Sequence, residues 1–164
     1  MNEPHHRLDA AHGYIDLGMF EEAWDELESL PPDLRADDVV FEMRLEIFQR
    51  MQKWESARIL AESLAKRSPE NPGWWLAWSD SIRREQSVEA ASEVLRQAAM
   101  IHPTVAIITY KLACYSCVLG DVAEARDLLA KAIELDDSFK MIALDDPDLD
   151  AIFGPGKADT TTKP

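Results

Sequence analysis

The chain has 164 residues, 46% of them apolar and 29% charged, with a formal net charge of −14. That length supports one ordinary core, and that apolar share excludes a disordered chain. A surface so acidic repels phosphate backbones and anionic lipid, which argues against nucleic acid and membrane partners; the plainer role of the acid is solubility.

Residues 1–7 contain no apolar run of signal-peptide length. No later stretch approaches the ~20 apolar residues of a spanning helix. The two cysteines, Cys114 and Cys117, lie three apart on an expected helix. These features predict a reduced, cytoplasmic protein.

Apolar spacing and turn signals predict helices at about 5–17, 20–30, 37–50, 54–67, 73–85, 88–101, 105–118 and 122–135. The first pair ends at Leu30-Pro31-Pro32. The first helix of the second pair has Arg44 where an apolar residue is expected and Leu45 beside it, which predicts that this helix is turned by about one residue. The fifth helix carries Trp74, Trp75 and Trp78. Trp74 has two readings: an aromatic hot spot on an exposed edge, or a shield over the end of the preceding helix pair. After the eighth helix, residues 138–153 alternate apolar side chains with aspartates. They predict a cap in which Phe139, Ile142, Leu149, Ile152 and Phe153 cover an open end while the aspartates face water. Residues 154–164 read as a disordered tail.

One period runs through the chain. Ala23, Ala57, Ala91 and Ala125 are each 34 residues apart. Each follows a turn and a bulky apolar residue: Gly18-Met19-Phe20, Gln52-Lys53-Trp54, Gln86-Ser87-Val88 and Gly120-Asp121-Val122. Pro69 and Pro103 keep the same spacing. Two antiparallel helices and two short turns use ~34 residues. The alanine fits where helices approach too closely for a larger side chain. One pair cannot bury its apolar face alone, whereas stacked pairs can.

This pattern resembles the tetratricopeptide repeat (TPR) family. Beside the alanines stand Tyr14 and Phe48, Phe20 and Trp54, Trp75, Ala98 and Ala132, and the closing Pro69 and Pro103. The resemblance implies an all-α, right-handed TPR-like α-solenoid of about four repeats, near 4–37, 38–71, 72–105 and 106–139. With the cap at 138–153 these would form a single domain over residues 1–153. It also implies that the first helix of each repeat lines a concave face that receives a protein or peptide. The candidate groove residues are Met43, Arg50, Leu76, Arg83, Arg84, Ile107, Tyr110 and Lys111, with Trp74 as an edge contact. The chaperone-tail clamp of one subfamily is absent, because its positions hold Leu8, His12, Met43, Gly73 and Ala77.

Arg50, Arg83, Arg84 and Lys111 have two readings. They form a basic strip for an acidic partner, or they pair along their own helices, Arg50 with Glu46 and Arg83 and Arg84 with Asp80. Cys114 and Cys117 supply too few ligands for a zinc site and read as small residues on a helix face. His5, His6 and His12 read as polar surface. No phosphate loop, nucleophile elbow or metalloprotease motif is present. The expectation is therefore a non-enzymatic scaffold or adaptor with no cofactor, no metal and no catalytic residue. The alternative is a chaperone resembling the small acidic TPR chaperones of type III secretion. Self-association is the remaining option, with the apolar stretch 149–153 as its first contact.

Overall fold

The computed structural model describes residues 3–154, with side chains from residue 5; the expected tail from 155 onward lies outside the described residues. The described chain is helical throughout. The long helices are α1 (Glu3–Asp16), α2 (Phe20–Glu28), α3 (Asp38–Arg50), α4 (Trp54–Arg67), α5 (Pro72–Glu85), α6 (Val88–Ile101), α7 (Ala106–Val118) and α8 (Val122–Leu135). A 3₁₀ turn at Leu34–Ala36 follows α2. Beyond α8 come α9 (Phe139–Ile142), a 3₁₀ turn at Pro147–Leu149 and α10 (Asp150–Phe153). Internal contacts divide the chain into two compact units, residues 1–60 and 61–164.

The turns show why the helices stop where they do. After α1, α3 and α7 the same two hydrogen bonds close the helix. Gly18 N–H donates to the Ile15 carbonyl at 3.0 Å and Met19 N–H to Tyr14 at 2.8 Å. Gln52 and Lys53 do the same to Gln49 and Phe48, and Gly120 and Asp121 to Cys117 and Ser116. This closure needs a residue at positive φ, which Gly18 (74°) and Gly120 (90°) adopt freely. Gln52 adopts it at 57°, at a cost of roughly 1–2 kcal/mol for a residue with a side chain. Helix starts are set by side-chain caps: Asp37, Asn71, Ser87 and Asp121 each accept a backbone N–H of the following turn.

In the first unit, Ala11, Ile15, Ala23, Leu27, Leu30, Val40 and Ile47 form one buried cluster. Leu8, Tyr14, Phe20, Trp24, Leu34, Met43 and Met51 pack around it. Arg44 does not turn its helix. Val40, Leu45 and Ile47 are buried, at the repeat positions that Trp74, Ser79 and Ser81 hold, also buried, in α5. The expected one-residue rotation is therefore corrected. The guanidinium instead lies over the Trp24 ring at 5.4 Å and pairs with Glu28 at 2.7 Å. An aromatic face and a carboxylate thus accommodate a cation where an aliphatic residue was expected.

In the second unit, α5 packs on α6, α6 on α7, and α7 on α8. Glu124 on α8 ties three helices together. It accepts two hydrogen bonds from Arg96 of α6, both at 2.9 Å, and one from Ser116 of α7 at 2.7 Å.

All four recurring alanines are fully buried, as are Ala98 and Ala132. Helix approach at these points leaves no space for added methylenes. Ala125→Leu should therefore cost about 1–3 kcal/mol by overpacking. The check is a lower urea midpoint at unchanged m-value; a loss under about 0.5 kcal/mol would mean that the helices are not in close contact there.

Candidate functional site

Helix α7 has one charged residue, Lys111, in its thirteen-residue span. Nine of its residues, Ile108, Thr109, Tyr110, Leu112, Ala113, Cys114, Tyr115, Ser116 and Cys117, are buried. A helix apolar on every side must be covered on every side. Helices α6 and α8 cover part of it, and the 3₁₀ turn Pro147–Leu149 and α10 also lie against it.

The covering segment is held mainly by polar groups. Asp148 takes a bidentate pair from Arg83 of α5, at 2.6 and 2.9 Å. Asp146 accepts from the Tyr110 hydroxyl at 2.6 Å and from the Cys114 thiol at 3.5 Å. Asp146 also caps its own turn, accepting from Asp148 N–H at 3.0 Å. Leu149 is completely buried, and Phe139 stacks on Tyr110 with ring centroids 4.4 Å apart.

The expected cap is thus corrected in part. Phe139 and Leu149 are buried as expected, and Ile152 is half-buried. Ile142 and Phe153 remain about half exposed, at 49% and 48%. Asp146 and Asp148 are half-buried rather than turned fully to water. They face a guanidinium and a phenol, because two donors on α5 and α7 would otherwise be left partly buried without acceptors.

The titrating groups record this arrangement. Hydrogen bonding to Asp148 is the largest influence on Arg83 and raises its pKa. Burial raises the Tyr110 pKa, and its bond to Asp146 adds to the effect. Burial also pushes the Cys114 thiol up to about 12, with the Asp146 charge second. Burial lowers the Lys111 pKa, but the charge and hydrogen bond of Asp80 outweigh it and the net shift is upward.

Beside this network, Lys111 donates to Asp80 at 2.6 Å, and the Tyr115 hydroxyl donates to the same oxygen at 3.3 Å. The Arg83 guanidinium also lies over the Tyr115 ring at 5.2 Å. Asp80 therefore pairs with Lys111, whereas the bidentate partner of Arg83 is Asp148, 65 residues along the chain. Cys114, Asp146 and Asp148 bring one sulfur and two carboxylates within 4.8 Å of one another. Arg83 already supplies a positive charge that faces Asp148.

The other candidate residues are distributed as follows. Leu76 and Ile107 are half-buried, and Arg84 is exposed. In the first unit Met43 is half-buried against the core. Arg50 donates to the Ile15 carbonyl in the last turn of α1 and lies over the Phe20 ring at 5.2 Å, with Glu46 3.5 Å away. A cation at a helix C-terminus satisfies an orphan carbonyl and the helix dipole together. Trp74 is buried, 2% exposed, so its reading as an exposed edge contact is corrected. Asp146 and Asp148 were not among the expected site residues.

Two solved structures share this architecture. One is a thermophilic TPR protein from Thermus thermophilus, with TM-score 0.69 and 18% identity over 92% of this chain and 83% of that one. The other is YrrB, described as a TPR protein with an unusual peptide-binding site, with TM-score 0.62 and 18% identity over 82% of this chain and 70% of that one. The fold is TPR-like. No protein-family model matches the sequence, and no curated protein does. Among the described residues, no helix is long and apolar enough to cross a membrane.

Proposed function

We propose that the chain is a protein-binding scaffold or adaptor, and that the α5/α7 face of its second unit receives a segment of the partner. One observation carries this reading. Arg83 and Tyr110, both at first-helix positions, already hold a short segment from outside the helix pairs by charge-assisted hydrogen bonds. Leu76, Arg84, Ile107 and Lys111 extend the same two helices on either side of that grip. A face that binds one segment by side-chain donors has the chemistry to bind another. The peptide-binding site named for YrrB belongs to a protein of the same fold and supports the reading by analogy.

The test is affinity purification of the tagged chain from its native host, repeated with Arg84→Glu and Leu76→Ala. Arg84 is exposed, so its reversal leaves the core intact. The expected result is a protein recovered with the wild type and lost with Arg84→Glu. Equal recovery with both variants overturns the assignment of this face.

A further inference from the structure

The segment over α7 has the attributes of a bound ligand more than those of a structural end-cap. A cap that only shields an apolar end gains by burying apolar area. Here the segment brings one fully buried apolar side chain, Leu149, and leaves Phe153 48% exposed. Beside the half-buried Ile152, its remaining hold is polar: a carboxylate on a guanidinium and a carboxylate on a phenol and a thiol. Its own structure is a three-residue turn and a four-residue helix. The chain leading into it is loosely anchored, since Met141, Ile142 and Leu144 are exposed at 68%, 49% and 48%. Phe139 and Ala143 are buried upstream and give the segment a fixed tether. The Arg83–Asp148 pair retains exposure on both sides, 32% and 24%, so water and salt compete for it.

From this we infer that the α5/α7 face recognises an acidic turn of the form Asp-Pro-Asp-Leu in another protein, and that Asp146-Pro147-Asp148-Leu149 is its competitor in cis. The inference rests on the proposed binding role of that face and adds its ligand chemistry. The first aspartate of the incoming turn accepts from Tyr110 and caps its own turn. The second takes the Arg83 fork. The leucine fills the position of Leu149. The proline holds the first turn position without needing a backbone donor.

The tethered segment sets a threshold. A short flexible tether gives an effective concentration on the order of millimolar. Against an incoming peptide of about 100 μM intrinsic Kd, that competitor weakens apparent binding roughly tenfold. A partner must therefore match the turn and add contacts elsewhere, for which Arg84 and Leu76 on α5 are placed.

The experiment uses a fluorescent peptide of residues 144–153 and the full chain. Anisotropy titrations compare the wild type, an Asp148→Ala/Leu149→Ala variant that releases the segment, and the released variant with Arg83→Glu. The released variant should bind the peptide at least about tenfold more tightly than the wild type. Adding Arg83→Glu should abolish binding, and raising salt should weaken it. A folded released variant that ignores the peptide overturns the inference, as does binding indifferent to Arg83→Glu or equal in wild type and released variant. If the double variant does not fold, Asp148→Asn serves in its place, and failure to bind more tightly than the wild type is equally decisive. A wild-type dimer dispersed by the peptide would assign the face to a second copy and overturn the claim of a separate partner. Loss of peptide binding together with an Arg84-dependent partner would sink this inference alone; loss of both would sink the binding role as well.

Discussion

Trp74→Ala should lower the unfolding free energy by about 3–5 kcal/mol, the cost of emptying a large buried aromatic site. Trp74 is 2% exposed, and its indole N–H is buried without a hydrogen-bond partner among the described residues. An unsatisfied buried donor costs about 1–3 kcal/mol. Trp74→Phe removes that donor along with one ring, so the two effects nearly cancel and the net change should fall within about 1 kcal/mol. Trp75 provides the contrast. Its indole N–H donates to the Pro69 carbonyl at 3.0 Å, so Trp75→Phe loses both ring and bond and should cost more than Trp74→Phe. Denaturant unfolding of the three variants checks the order. If Trp74→Ala changes stability by less than about 0.5 kcal/mol, the residue is a surface group after all. If Trp74→Phe costs as much as Trp75→Phe, the indole has a partner that its surroundings do not suggest.

The repeat was legible because close helix packing writes itself into residue size. Only alanine fits where two helices nearly touch, so Ala23, Ala57, Ala91 and Ala125 mark the contact at each period, and all four are buried. Turn chemistry was equally local. Gly18, Gln52 and Gly120 sit at positive φ where the first helix of a pair must stop, so the helix ends fell close to expectation. What escaped was the destination of charges. An arginine can pair with any carboxylate the fold brings near. Helical spacing favours Asp80 for Arg83, yet Asp148 presents two oxygens in the fork of the guanidinium. Periodicity carries no information about a contact 65 residues away. One signal was present. Residues 106–118 hold a single charge, and such a helix cannot leave its outer face to water. That composition implied a cover over Tyr110 and Cys114, and the acidic segment after the last repeat, already expected to act as a cap, was able to supply it. Arg44 misled for the related reason that a guanidinium over a tryptophan substitutes for an aliphatic side chain without moving the helix.

Cys114 should react with iodoacetamide far more slowly than a free thiol, and that rate reports whether the acidic segment is closed. Burial and the Asp146 carboxylate push its pKa from 9.0 up to about 12. At pH 8 the thiolate fraction therefore falls about a thousandfold, and the thiolate is the nucleophile. A more basic thiolate is intrinsically more reactive. With a Brønsted slope of about 0.4–0.5, three units of pKa return roughly fifteenfold to thirtyfold, which leaves a net slowing of about thirtyfold to sixtyfold. Steric closure adds to this, because Cys114 is 3% exposed. In a Cys117→Ala background Cys114 is the only cysteine, since the chain has two. There, Leu149→Ala or Asp146→Ala should accelerate alkylation by about tenfold or more, because each loosens the segment that covers the thiol and Asp146→Ala also removes a charge opposing the thiolate. The sign of the pH dependence follows from the raised pKa. The proton on Cys114 favours the folded state, so its stabilising effect is complete below about pH 9 and is lost as the pH rises from there toward 12. Asp146→Ala should flatten that loss without abolishing it, since burial is the larger cause and the carboxylate the smaller. A wild-type Cys114 that alkylates as fast as a free peptide thiol would mean that the segment spends most of its time off the α7 face, and Arg83 would then be open to any acidic partner without competition.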